Sequence, residues 1–310
     1  MTTSAPTLTL RTAIGPYGYF QPLKDGSLKP DRISFDHIEV DPIRNAFRMQ
    51  CRNQEFDVSE MAIVTYLLAR DYGLPFIALP VFCTRNFWHG AYSYNTDSGI
   101  QSPKDVEGRT GGVRAYTQTS GVWARGILAH EYGVDLDTLK WILADEEHVQ
   151  AYHQNLPTNL EYRLGANHGK LLESGETAFA MGVGRSENPK IKPLIPDAKG
   201  AAEEWFKRTG LYPIDHMIVM KQSTVDANPW LADALFEAFQ GAKQQWRDAA
   251  PDEADRKTLA GGFLPGDRIP YGVEQNRKTI ETMIQYAREQ HILRRSIPIE
   301  DLFVPSTLKS

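Results

Sequence analysis

The sequence predicts an α/β protein of two lobes. Three observations carry that prediction. The chain has 310 residues, more than the ~250 at which a single core usually stops growing. Its N-terminal third alternates strand-like and helix-like segments, the rhythm of a mostly parallel sheet covered on both faces. The same rhythm restarts in the middle of the chain, and a late apolar strand near Ile214 returns the chain towards the first lobe. A cleft between two such lobes is where a small molecule is expected.

The elements follow in order. LTLRTAIG, Leu8 to Gly15, alternates apolar and polar side chains as a strand does and stops at a Gly-Pro breaker. ISFDHIEV, Ile33 to Val40, alternates again, and Pro42 opens a helix running to about Arg52. FDVSEMAI is a short strand feeding the helix MAIVTYLLARDYG, and FIALPVF is a buried strand. A second unit starts near Tyr94 with the strand TGGVRAY and a helix in TQTSGVWARGILAHEYGV, capped by Thr117 or Thr119. LKWILAD and ETAFAMGVG read as strands, with a helix from Gly169 to Ser174 between them. PIDHMIVM from Pro213 is the last strong strand. Helices follow at Pro229 to Ala249, Val273 to Gln290 and near Ile299 to Phe303, with surface loops around Pro251 and at GGFLPG.

Composition excludes several classes. Lys and Arg total 34 against 39 Asp and Glu, so net charge is −5 and nothing global favours nucleic acid or an anionic membrane. No apolar run approaches the ~20 residues of a membrane span. The opening MTTSAPTLTLRTAIG lacks the basic and apolar regions of an export signal, which points to the cytoplasm. Cys51 and Cys83 are then expected as reduced thiols. A homo-oligomer is left open.

The usual catalytic signatures are missing: no GxSxG, HExxH, Walker loop or CxxC occurs. GVGRSENP lacks the dinucleotide fingerprint. What remains is polar side chains at element ends. Tyr116, Thr117, Gln118 and Thr119 lie between a strand and a helix, where free N–H groups suit a carboxylate, or where a plain helix cap would sit. CTRNFWHGAY gathers Arg85, Trp88, His89 and Tyr92 after a buried strand. Arg grips carboxylates with paired hydrogen bonds and His moves protons near neutral pH. His216 stands inside an apolar strand, more often the place of a satisfied core residue. Glu60 is a carboxylate at a strand-to-helix turn, a dipole-stabilised helix charge or a proton carrier. His148 and His153 beside Glu146 and Glu147 invite a metal, but their spacing does not put both imidazoles on one helix face. Solvated surface is the expectation there, with no zinc site.

Seven segments in order resemble the 4,5-dihydroxyphthalate decarboxylase family, whose members look like type II periplasmic solute-binding proteins. They are PLKDGSLKPDRI, EFDVSEMA, LPVFCTRNFWH, GVRAYTQTSGVWARGILAHEYGV, TGLYPIDHMIVM, NPWLADALFEAF and PYGVEQNRKTIETMIQYAREQ. The resemblance implies a two-lobed type II periplasmic-binding-protein-like fold. Residues 1–93 with 211–310 would form the first lobe and 94–210 the second. It implies a carboxy-lyase acting on a hydroxylated aromatic acid without an organic cofactor, a divalent metal staying open. The alternative is a cytoplasmic module that binds or senses an aromatic acid without turnover.

Two departures stand out. Where the family reads an Asp-x-Arg-like stretch, this chain reads Tyr17-Gly18-Tyr19-Phe20, and where it tends to read Arg-His, this chain has Trp88-His89. A less anionic or larger aromatic acid than 4,5-dihydroxyphthalate is expected. On this reading His216, His89 and Glu60 take the proton steps, and Arg85 and Arg125 bind the anion. Tyr116, Thr117, Gln118 and Thr119 supply neutral contacts, and Tyr17, Tyr19, Trp88 and Trp123 stack on the ring.

Overall fold

The computed structural model describes residues 6–184, 186–249 and 267–310; the loops expected around Pro251 and at GGFLPG lie outside them. The chain divides into two compact units. The first comprises Met1–Asn86, Ile214–Glu281 and Ile297–Ser310, the second Phe87–Pro213 and Thr282–Ser296.

The first unit opens with β1 (Leu8–Ala13), α1 (Gln21–Lys24), β2 (Ile33–His37), α2 (Arg44–Asn53), β3 (Val58–Ala62), α3 (Ile63–Asp71) and β4 (Phe76–Arg85). The second contains β5 (Tyr92–Asn95), β6 (Thr110–Val113), α4 (Thr119–Tyr132), β7 (Lys140–Leu143), β8 (Leu160–Tyr162), α5 (His168–Glu173), β9 (Phe179–Met181), β10 (Ile191–Pro193) and α6 (Ala198–Thr209). The chain re-enters the first unit at β11 (Ile214–Lys221), α7 (Gln222–Ala227) and α8 (Leu231–Ala249), and α9 (Arg277–Glu289) runs across the division.

In the first unit a five-stranded sheet has the order β2-β1-β3-β11-β4. β1 pairs in parallel with β2 and β3, whereas β11 is antiparallel to both neighbours. Every residue of β3 is buried, Ser59 and Glu60 included, as in a strand covered on both faces. α8 buries Leu231, Leu235, Ala238, Phe239 and Ala242, one face at helical spacing. The β11–β4 ladder is irregular. His216 pairs with Thr84 and Met217 with Phe82, so Cys83 is a bulge residue. Its carbonyl instead accepts the Tyr19 hydroxyl. Further along, Pro80 has no N–H to donate, and its carbonyl accepts the Gly272 N–H at 2.8 Å.

The second unit holds a six-stranded sheet of order β10-β5-β9-β6-β7-β8. Short β5, β8 and β10 and the helix α6 carry no strong pattern in sequence and are additions to the expected elements. The expected lobes placed 94–210 together and all of 211–310 with the first lobe. In the structure Phe87 begins the second unit and Thr282–Ser296 joins it. The reason is α4: Tyr286 packs edge-on against Trp123 at 5.7 Å, and Gln290 accepts from Arg125 Nε at 2.7 Å.

Candidate active site

The first unit concentrates polar groups on one buried carboxylate, Glu60. The β3–β11 register sets Ile218 opposite Glu60 and His216 opposite Ala62. Side chains alternate along a strand, so His216 shares the face of Ile218 and is the diagonal neighbour of Glu60. Its Nδ1 donates to Glu60 Oε1 at 2.6 Å. The Tyr17 hydroxyl donates to the same oxygen at 2.7 Å, and the Gly15 N–H donates to Oε2 at 2.8 Å. A side chain at Gly15 would have its Cβ 2.8 Å from the Tyr17 ring and 3.0 Å from Glu60 Oε2, so it would have to displace the groups of this cluster.

Electrostatics follow the burial. The Glu60 side chain is fully buried, while that of His216 is 25% exposed and is the member of the pair open to solvent. Burial alone would lower the His216 pKa; the hydrogen bond and charge of Glu60, helped by Asp215, outweigh it and the pKa is raised. Burial, and then the charge of Glu60, hold the Tyr17 phenol well above its ordinary value, so it stays a neutral donor. Lys24, which the sequence reading passed over, stands near Glu60; its Nζ donates to the Ile14 carbonyl at 2.6 Å, and burial lowers its pKa. The arrangement fixes the imidazole with its proton on Nδ1. Nε2 then accepts a proton in the neutral ring and delivers one in the charged ring.

Around this cluster lie Tyr19, stacked on Tyr17 with ring centroids 5.4 Å apart, and Phe47, edge-on to His216 at 5.0 Å. Tyr19 is buried and its hydroxyl is engaged with Cys83. Arg85 donates to the Asn276 side chain, whose amide in turn donates to the Pro270 and Gly272 carbonyls. His216 is thus not the sealed core residue that its apolar strand suggests.

The second unit departs further from the sequence reading. The Tyr116–Thr119 turn does gather donors for a carboxylate, but the carboxylate is the protein's own. Glu147 accepts the Tyr116 N–H at 2.7 Å, the Thr117 N–H at 3.1 Å, the Thr117 hydroxyl, and the Tyr162 hydroxyl at 3.4 Å. Glu147 is fully buried and His148 nearly so, which corrects the expectation of a solvated surface there. Neither Thr117 nor Thr119 caps α4: Gln118 holds the cap position without a side-chain bond, its Nε2 donating instead to Ser120 Oγ at 2.5 Å. Burial pushes the Glu147 pKa up, against the hydrogen bonds of Thr117 and Tyr116 and the charge of Arg125.

Arg125 and Trp123 are both sealed, because α4 is buried along its first ten residues, Thr119 to Leu128. Arg125 Nη2 donates to the Tyr116 carbonyl at 2.5 Å and the guanidinium lies 4.1 Å over the Tyr116 ring. Trp123 packs on Tyr286 rather than on an open face. Trp88 is partly buried near the start of the unit. His89 is buried against Trp205 with ring centroids 5.3 Å apart, neither nitrogen has a hydrogen-bond partner among the described residues, and burial lowers its pKa to about 4. Glu60, His216 and Tyr17 are therefore brought together, and Tyr116 and Thr117 meet on Glu147.

A sheet in which one late antiparallel strand sits between β3 and β4, with a second α/β unit inserted in the chain, defines a class. The fold is that of the type II periplasmic binding proteins. The desulfurization enzyme DszB superposes with a TM-score of 0.57 at 15% identity, covering 97% of each chain. The periplasmic aliphatic sulphonate binding protein SsuA of Escherichia coli does so with a TM-score of 0.55 at 11% identity, covering 97% of this chain and 92% of that one. In sequence the chain is similar to proteins named 4,5-dihydroxyphthalate decarboxylase. It is 28% identical to the one from Comamonas testosteroni, over 98% of both chains. It is 29% identical to the one from Pseudomonas putida, over 64% of this chain and 82% of the relative. No family model matches the chain.

Proposed function

We propose that this protein is a non-oxidative decarboxylase of a hydroxylated aromatic carboxylic acid. The observation that carries the reading is the Glu60 cluster, a buried carboxylate that orients one imidazole and one phenol. The full-length relationship to proteins named 4,5-dihydroxyphthalate decarboxylase supplies the reaction class. Direct loss of CO₂ from an arene carboxylate would leave an aryl carbanion. A ring hydroxyl ortho or para to the carboxylate avoids it by pushing electron density onto the carbon that bears the carboxylate.

The charged His216 then gives the Nε2 proton to that ring carbon, and the C–C bond to the carboxylate breaks. Its electron pair restores the aromatic ring, CO₂ departs, and His216 is left neutral. The phenol proton lost during the push returns to the product oxygen, so one proton is consumed for each CO₂. Glu60 balances the imidazolium charge, and the Tyr17 hydroxyl is a neutral donor beside it. Because the substrate's own phenol oxygen supplies the electrons, no organic electron sink is needed.

Incubating the purified protein with a panel of hydroxylated benzoic and phthalic acids tests this, with product mass and CO₂ as readouts. Loss of CO₂ from at least one of them, abolished in His216→Asn, is the expected result. Saturable binding of an aromatic acid with no CO₂ released would replace the reading with that of a binding or sensing module.

A further inference from the structure

Two side-chain donors share one oxygen of Glu60. His216 Nδ1 donates to Oε1 at 2.6 Å and the Tyr17 hydroxyl donates to it at 2.7 Å. A donated hydrogen bond stabilises the charged carboxylate and weakens it as a base. The phenol therefore competes with the imidazole for the same charge, and it does so from a fixed position. The Tyr17 N–H donates to the Gly15 carbonyl at 2.9 Å, and the Tyr17 carbonyl accepts the Phe20 N–H at 3.0 Å. Its ring lies flat on that of Tyr19, with 6° between the planes. Tyr19 is buried and held in turn, edge-on to Phe20 at 4.6 Å and to Trp246 at 5.7 Å. A Cβ on Gly18 would stand 2.5 Å from Trp246 Nε1, so the backbone between the two tyrosines lies against the indole. The Tyr19 hydroxyl donates to the carbonyl of Cys83, the bulge residue of β4. Other ionisable groups surround the cluster. Asp215 acts on both His216 and Tyr17, the Cys83 thiol on Tyr17 and Tyr19, Tyr271 on Tyr19, and Lys24 stands near Glu60. The Tyr17 bond goes to the oxygen that His216 itself uses.

We propose that Tyr17 is a positioning residue that tunes His216 as an acid by drawing on the charge of Glu60, and that Tyr19 holds Tyr17 in place from the Cys83 bulge. Glu60 raises the proton affinity of His216, and an imidazolium that holds its proton too tightly is a poor donor to a ring carbon. The Tyr17 hydroxyl limits that rise while the same oxygen still orients the imidazole. Burial, and then the charge of Glu60, keep the phenol protonated, so the donor is present throughout the range in which His216 titrates. Tyr19 serves the pair by setting the plane of the Tyr17 ring. The consequence for turnover rests on the decarboxylase reading; the tuning of His216 does not.

NMR titration of His216 and turnover against pH test this in the parent chain, Tyr17→Phe, Tyr19→Leu and the double variant. Tyr17→Phe keeps the ring and loses the hydroxyl, and it is expected to raise the proton affinity of His216 by at least about threefold. Tyr19→Leu is expected to act in the same direction, by less, and to add nothing in the Tyr17→Phe background. The limb on which turnover falls as His216 loses its proton should move to higher pH in step. A residue that only packs would lower the melting temperature and leave the His216 midpoint where it is. A folded Tyr17→Phe with an unchanged or lowered midpoint overturns the tuning role. If Tyr17→Phe does not fold, 3-fluorotyrosine at position 17 decides, being a stronger donor of nearly the same shape. It should lower the midpoint, and a midpoint that stays or rises overturns the role. A Tyr19→Leu that shifts the midpoint as far with Tyr17→Phe as without it overturns the part given to Tyr19. Should Tyr19→Leu not fold, Tyr19→Phe, which loses only the hydroxyl held by Cys83, takes its place in that comparison. Absence of CO₂ release by the parent from every acid offered would sink the decarboxylase reading instead, leaving the NMR midpoints to judge the tuning.

Discussion

His216 Nδ1 lies 2.6 Å from Glu60 Oε1 across a diagonal of the β3–β11 ladder, and the strand that brings the histidine is the one that returns from the second unit. The Glu60–His216 pair of the first unit therefore exists only because the chain leaves that unit and comes back. Removing the charge of Glu60 should expose how much of the His216 pKa depends on it. Burial lowers that pKa and Glu60 raises it, so Glu60→Gln should move it from above its ordinary value to below it. NMR titration of the imidazole reads this directly. Stability follows with a definite sign. Because the folded pKa lies above the unfolded one, the pair's contribution is full below the unfolded pKa near ~6.5. It is lost as pH rises through the folded value. Glu60→Gln should abolish that loss and reduce turnover by at least ~100-fold, the usual scale of proton-transfer assistance.

His89 should behave in the opposite way. Its folded pKa of about 4 lies below the value it takes when unfolded, because burial among aromatic rings penalises the charged ring. The unfolded chain therefore gains this proton first as pH falls. Stability should decline between pH ~6.5 and ~4 by up to about 3 kcal/mol and then level off. His89→Phe should flatten the decline in denaturant melts taken across that window. Since the ring is neutral at pH 7, the same variant should keep turnover within about tenfold of the parent, far from the effect expected at His216.

Gly126 tests how α4 fits against the Tyr286 stretch of α9. A Cβ there would stand 2.0 Å from the Tyr286 ring, a contact no side chain tolerates without movement. Gly126→Ala should cost at least about 1–3 kcal/mol, the range for overpacking a core. Replacing Tyr286 with Leu in the same chain should recover part of it, since the clash needs both groups. Thermal melts of both single variants and the double variant decide the point; equal losses in the single and double variants would mean that the ring is not the obstacle.

The strong strands and helices were legible because their patterns are local: alternation in β1, an apolar run in β4, helical spacing in α8. The nearness of Glu60 to His216 was not, because it depends on antiparallel pairing between residues 156 apart in the chain. The donors at Tyr116 and Thr117 were readable as an anion site, but their partner was not. Glu147 lies 30 residues from Thr117 in a charged stretch that resembles solvated surface, and only the fold turns it inward. Trp123 and Arg125 misled for the matching reason: a helix buried on all sides gives no amphipathic signal to say which side chains are sealed.

Substrate choice is the remaining consequence. 4,5-Dihydroxyphthalate carries two adjacent carboxylates and calls for two cationic grips. In this chain Tyr19 stands where the family resemblance places an arginine, and its hydroxyl is engaged with the Cys83 carbonyl, so it offers no charge. Trp88 stands at the other such place, and Arg125 is sealed under α4. Losing a charged contact costs on the order of 1.5–3 kcal/mol, or roughly 10- to 150-fold. Two losses are enough to reverse a preference. The specificity constant for a hydroxylated monocarboxylate should therefore exceed that for 4,5-dihydroxyphthalate. Trp88→Arg, placed on a partly buried side chain that can accommodate a guanidinium head at the surface, should shift the ratio back towards the dicarboxylate by about tenfold. A parent enzyme that prefers the phthalate would mean that Arg85 or Lys24 supplies the missing charge. Arg85→Gln and Lys24→Met would then separate the two, since only the variant that loses the real grip should lose the dicarboxylate preference while keeping turnover of the monocarboxylate.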